Sequence, residues 1–329
     1  MIDDNVGSVL DPQENVQDDN EVIIPNLQEN VQVDDVRGYL CYVENVQDGV
    51  TGSSSFSQEN VQNGPRWYFS RKELEENSPS RKDNIDWNSE NMLRKSYSDF
   101  LQEMGRRLVL PQMTIATALV FCHRFFLRQS HAKNDWEIVA IACIFLAGKV
   151  ESTINWLQDV IMVGRGVKLG VDEKTLHREK LCTKEYEDLI LLAEKLVLVT
   201  IDFEIDVAHP YRPLSVAIDK LDVSIESKSL LTQVAYHLVN DGLRSWLCLQ
   251  FKPHQIAAGV MFLAARGLEM KLNPSDWWCW PELDVNEEQL KEMSDHLLEL
   301  DKQSSTPRFN HNLECETIST NGLRVDDKN

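Results

Sequence analysis

Residues 135–151 read DWEIVAIACIFLAGKVE, and this stretch decides the fold. Asp135 suits a helix N-cap, and Glu137 falls in the first turn, where the positive end of the helix dipole favours an acid. From Ile138 to Ala147 no side chain is polar beyond the Cys143 thiol. A helix that is apolar on every side belongs inside a core. The run is too short to cross a membrane, which needs ~20 apolar residues. Its small residues, Ala140, Ala142, Ala147 and Gly148, let neighbouring helices come close. The stretch is expected to be the central helix of a bundle. It ends abruptly in Lys149 and Glu151. Lys149 suits the negative end of the helix, either as a solvated cap or as a base presented to a partner.

The same pattern recurs in IAAGVMFLAAR, residues 256–266. An offset of 117 lays Phe145-Leu146-Ala147-Gly148-Lys149 over Phe262-Leu263-Ala264-Ala265-Arg266, with Ala140 on Ala257 and Ala142 on Gly259. Self-similarity of this kind points to two related helical domains in tandem, although two Ala-rich helices can also match by chance.

The length of 329 residues suits about two domains. Apolar residues make up 42% of the chain, enough for a globular core, and the net charge is −20. Residues 1–64 hold thirteen acids against one Arg, a net of −12, which leaves −8 on the remainder. Neither part has the basic stripe of a phosphate-backbone binder. The first ten residues, MIDDNVGSVL, lack the apolar core of a secretory signal. Seven scattered Cys, with Cys122, Cys143 and Cys248 inside apolar runs, read as free thiols of a reducing compartment.

Within residues 1–64, Glu-Asn-Val-Gln begins at Glu14, Glu29, Glu44 and Glu59, a period of 15. Periodicity admits a solenoid, but each copy has few apolar residues, and low hydrophobicity with high charge favours disorder. From residue 65 the chain reads as folded. Ser70 and Glu73 form a capping box for a short helix. Residues 76–86 read as a polar loop, with Pro79 barring helix. Five helices follow: Ser89–Leu108, Pro111–Leu127 with Pro at N1, the central helix, a weaker one near Trp156–Val163, and Thr183–Thr200. Gly164–Thr175 reads as a loop, and Asp202-Phe203-Glu204-Ile205 ends the set. About five more follow, including Pro213–Leu221, Ser227–Leu249, the Ala-rich helix after Pro253, an aromatic knot at 276–281, and Asn286–Leu300. The expected class is all-α: two five-helix bundles, each around a buried central helix, over 65–207 and 208–302, between disordered segments at 1–64 and 303–329.

Enzyme signatures are absent from the sequence. Gly164-Arg-Gly166-Val-Lys-Leu-Gly170 follows no strand and fits neither glycine-rich phosphate motif. The eight His and seven Cys lack metal-ligand spacing, so no metal or other cofactor is expected. His209 reads as a turn residue before Pro210, and His123 as locally satisfied within its helix. Trp277, Trp278 and Trp280 have no base among them, so a core corner is favoured over base stacking. Lys149, Glu151 and Glu194 remain. Glu194 interrupts an apolar run, which is costly unless it is paired. Two readings stay open: an internal Lys149–Glu194 salt bridge, or two charges reaching outward to a partner helix.

At these residues the chain resembles a known family. Phe145-Leu146-Ala147-Gly148-Lys149-Val150-Glu151 is similar to the central-helix signature of the cyclin box. Trp67-Tyr68-Phe69, Leu74-Glu75-Glu76-Asn77-Ser78-Pro79-Ser80-Arg81 and Phe100-Leu101-Gln102-Glu103-Met104-Gly105 resemble the cyclin T group in particular. The likeness covers about 66–302 and implies a tandem cyclin fold. The Arg-Ala-Ile-Leu patch of cell-cycle cyclins is replaced by Leu93-Arg94-Lys95-Ser96, which favours a transcriptional cyclin. Gly148 stands where Ala is usual, and Ser152 where a second acid is. The resemblance implies a heterodimer with a transcription-type cyclin-dependent kinase, contacted by Lys149, Glu194 and Glu151, with Phe145 and Phe203 as apolar neighbours. It implies a nuclear regulator of RNA polymerase II tail phosphorylation, with no catalytic residue, no membrane and no direct nucleic-acid contact. The alternative is a cyclin-fold scaffold or transcription factor that activates no kinase.

Overall fold

The computed structural model describes residues 67–153, 155–171, 182–270 and 283–302. Among them the regular structure is helical. In chain order the helices are α1 (Arg71–Asn77), α2 (Pro79–Lys82), α3 (Trp87–Arg107), α4 (Gln112–Arg128), α5 (Trp136–Val150), α6 (Leu157–Leu169), α7 (Lys184–Thr200), α8 (Tyr211–Asp219), α9 (Ile225–Gly242), α10 (Leu247–Gln250), α11 (Pro253–Gly267) and α12 (Glu287–Lys302). The acidic repeats, the aromatic knot at 276–281 and the tail from 303 lie outside the described residues.

Helix α5 is the axis of the first bundle, and α3, α4, α6 and α7 all pack on it. Asp135 caps it by accepting from the Glu137 amide at 2.8 Å. Ala140, Ile141, Ala142, Cys143 and Ala147 are wholly buried, as an all-apolar helix requires. Helix α11 plays the same part in the second bundle, with α8, α9, α10 and α12 packed on it.

A polar seam joins the two bundles. Tyr97 Oη of α3 lies 2.6 Å from His123 Nδ1 of α4, and His123 Nε2 lies 2.8 Å from the Leu243 carbonyl. A carbonyl only accepts, so Nε2 carries the proton and Nδ1 takes the tyrosine hydroxyl. His123 therefore links the bundles, where the sequence suggested a locally satisfied ring. Arg244 pairs with Asp99, and the rings of Trp87 and Trp246 stand 6.3 Å apart. The Phe69 amide donates to the Leu249 carbonyl at 2.8 Å.

Three expectations change. Pro79 starts α2 at N1, with Ser78 as its cap, because the missing proline N–H has no partner to lose there. The expected loop from Gly164 is helical to Leu169. A Cβ on Gly164 would come within 2.9 Å of the Ile141 side chain, so the glycine allows α6 to approach α5. The bases beside it, Arg165 and Lys168, pair with buried Glu137 at 3.5 and 2.9 Å. Finally, the expected helix Ser227–Leu249 breaks after Gly242. Leu243 keeps helical dihedrals, so the apolar spacing persists, but Arg244 and Ser245 donate only three residues back.

Candidate functional site

Lys149 stands in the last turn of α5, and its Nζ donates to Glu194 Oε1 of α7 at 2.5 Å. The internal pair is thus the one formed. It is not sealed off: the Lys149 side chain is 41% exposed and that of Glu194 9%. The ammonium also sits 4.1 Å from the centroid of the half-buried Phe145 ring, one turn earlier on α5. An ammonium has three donors, so a carbonyl or carboxylate arriving from solvent can share Lys149 without breaking its bond to Glu194.

Phe203 lies just past the end of α7. Its amide donates to the Leu198 carbonyl at 2.9 Å, which folds the chain back onto the last turn of α7. Asp202 and Phe203 have φ of 54° and 58°, a left-handed conformation costing about 1–3 kcal/mol for each such residue. The ring is 65% exposed, and Val199 and Ile205 beside it are also exposed. Arg128 Nη1 of α4 donates to the Thr200 carbonyl at 2.8 Å and to Asp202 Oδ2 at 3.0 Å. Arg124 Nη1 donates to the Glu204 carbonyl at 3.2 Å. The Trp67 ring lies 4.7 Å from the Arg124 guanidinium and 4.2 Å from that of Arg128, and its Nε1 donates to Glu204 Oε2 at 2.5 Å. Sequence reading missed this clamp. Its one signal was two arginines a turn apart in an otherwise apolar helix.

Glu151 caps α5 and is half-buried. Its Oε1 accepts from Thr117 Oγ1 at 2.7 Å, and His209 Nε2 lies 2.8 Å from the same hydroxyl. The single hydroxyl proton goes to the carboxylate, so His209 donates. Burial depresses His209 to about 4, with Glu151 opposing the shift and Arg124 assisting it. His209 is therefore more than a turn residue. It and Glu151 tie the central helix to the segment between the bundles.

The structure thus brings Phe145, Lys149 and Glu194 into contact, anchors Phe203 on the C-terminal turn of α7, and ties Glu151 to Thr117. A part-exposed charge pair against a half-buried ring, with an exposed Phe at the end of the same helix, suits docking of another protein. Among the described residues, no group of three or more His, Cys, Asp or Glu is placed to hold a metal.

Residues 66–206 match the family described as Cyclin, N-terminal domain. Cyclin-T1-3 of Oryza sativa subsp. japonica is 54% identical over 252 residues, covering 75% of this chain and 50% of that protein. Putative cyclin-T1-1 of Arabidopsis thaliana is 42% identical over 235 residues, covering 71% of this chain and 93% of that protein. The chain therefore spans about half the length of the rice relative and most of the Arabidopsis one. A chain in the crystal structure of the yeast RNA Pol II CTD kinase CTDK-1 complex superposes with a TM-score of 0.59 at 20% identity, over 73% of this chain and 74% of that one. That likeness is one of fold. Taken with the paired bundles and the Lys149 helix end, these matches show that the chain belongs to the cyclin family, in its cyclin T group.

Proposed function

We propose that this chain is the regulatory subunit of a transcription-class cyclin-dependent kinase, held as a nuclear heterodimer that phosphorylates the RNA polymerase II C-terminal tail. The observation that carries this reading is the Phe145–Lys149–Glu194 cluster at the end of the buried axis of a bundle. The CTDK-1 complex that shares the fold is named as an RNA Pol II CTD kinase, which supports the choice of substrate. A net charge of −20 disfavours a nucleic-acid role.

The mechanism is one of conformational bias. An active kinase needs the Glu of its C-helix paired with the Lys that holds the ATP phosphates. A rigid partner that binds only the helix-in state moves the population toward it, and shifting 1:99 to 99:1 takes about 5.5 kcal/mol of differential affinity. In this reading Phe145 and Phe203 supply the apolar grip, and Lys149 with Glu194 meets backbone and side chains of the kinase. Glu151 fixes the end of α5 through its bond from Thr117. The phosphoryl transfer is the kinase's own.

A charge swap tests this reading. Lys149→Glu places two acids together, so it lowers the melting temperature and weakens kinase binding about 100-fold, within the range for truncated interface pairs. In Lys149→Glu with Glu194→Lys the internal bridge re-forms, and stability returns without binding. The readouts are thermal melts, association with a recombinant transcription-class kinase, and phosphorylation of a polymerase-tail peptide. Full binding by the swapped protein would reduce the pair to an internal brace.

A further inference from the structure

We infer that Trp67 is a positioning residue for Phe203, acting through Arg124, Arg128 and Glu204 to hold the docking turn in its left-handed shape. This rests on the docking reading above. Two consecutive left-handed residues with full side chains do not hold themselves. Here they are gripped on both sides of Phe203. Arg128 takes the Thr200 carbonyl and the Asp202 carboxylate before it, and Arg124 takes the Glu204 carbonyl after it.

The two arginines lie four residues apart on α4, where like charges repel. Trp67 touches both, with its ring facing each guanidinium. Its indole N–H also binds the Glu204 carboxylate, so one residue spans the whole clamp. Trp67 is only 6% exposed, and a docked partner therefore has little of it to touch. Its influence on docking passes through the turn. The segment carrying it is itself anchored two residues later, where the Phe69 amide meets Leu249 of the second bundle. The inter-bundle seam and the docking turn thereby share one strap.

The test is a double-mutant cycle on the full chain, read as affinity for a recombinant transcription-class kinase. Trp67→Ala weakens binding about tenfold and Trp67→Phe, which keeps a ring but loses the N–H, about threefold. In a Phe203→Ala background neither change adds a further loss. Amide exchange at residues 202–205 speeds up in Trp67→Ala without any kinase present. Should Trp67→Ala not fold, Trp67→Phe carries the same cycle. Losses that multiply in the double variant overturn the inference and leave the docking reading intact, as does unchanged exchange at the turn. If Phe203→Ala alone binds at full strength, the docking role of Phe203 falls, and the inference falls with it.

Discussion

Helices α5 and α11 start at Trp136 and Pro253 and end at Val150 and Gly267, so both ends are offset by 117 residues. The match continues into the turns that follow. Glu151 and Leu268 donate to Ala147 and Ala264, Ser152 and Glu269 to Lys149 and Arg266, and Thr153 and Met270 to Gly148 and Ala265. Ser152 and Glu269 are both left-handed, at 56° and 52°. What differs is the chemistry on this common backbone. The first turn carries Glu151, tied to the linker through Thr117, and the second carries Leu268 in its place. Even the N-caps diverge: the Asp135 side chain accepts at one, while the Lys252 amide donates to Gln255 at the other. The turn is thus part of the scaffold, and the Glu151 tie to the linker is particular to the first copy.

The largest expected effect tests whether the two axes are equivalent in the core. Ile144 and Met261 occupy matched positions and are 2% and 0% exposed. Truncating either to Ala should cost about 2–5 kcal/mol. Met261 should fall at the low end, because an unbranched thioether fills its site less exactingly and tolerates substitution better. Urea titration should show one transition in both variants, since the His123 bridge and the Trp87–Trp246 contact couple the bundles. Two separated transitions would show bundles that fold independently.

An effect that is smaller per residue comes from the unequal share of buried histidines in the two bundles. Burial depresses His123 and His131 to about 3, and His209 and His296 to about 4. Unfolded, each titrates near ~6.5. Between those values the unfolded chain binds more protons than the folded one, so stability is complete above pH ~6.5 and falls as the pH drops below it. Each histidine contributes a slope of up to about 1.4 kcal/mol per pH unit. Three of the four serve the first bundle, the linker or the seam, and only His296 lies in the second. Urea midpoints should fall between pH 7.5 and pH 5, and His123→Gln, which can still donate to the Leu243 carbonyl, should flatten the decline. A wild-type midpoint that stays level across this range would contradict the burial of neutral histidines.

The sequence revealed most where a residue's environment is the same on all sides. The α5 axis, its Asp135 cap and the 117-residue echo were legible because full burial leaves an unbroken apolar run. Lys149 and Glu194 stood out as charges against apolar stretches, and their pairing was one of two readings left open, because a contact across 45 residues of chain leaves no local pattern to decide it. The Trp67 clamp was hidden for the same reason, with its Glu204 partner 137 residues away. Gly164 misled because a glycine that permits helix contact looks, in sequence, like one that permits a turn. The break after Gly242 left no trace because the next residue keeps helical dihedrals.

The smallest expected effect probes the shared turn itself. Ser152 and Glu269 hold φ values that favour glycine. A left-handed residue costs roughly 1–2 kcal/mol, and glycine's extra freedom in the unfolded chain takes back roughly 0.5–1 kcal/mol. Ser152→Gly and Glu269→Gly should therefore each stabilise the protein by about 0.5 kcal/mol, and by equal amounts, because the hydrogen bonds around the two turns correspond one for one. Matched shifts in urea midpoint would confirm that the backbone turn belongs to both copies. A gain at Glu269 with a loss at Ser152 would instead mean that the first turn depends on its side chain, and the boundary of the backbone common to both copies would have to be drawn one residue further back.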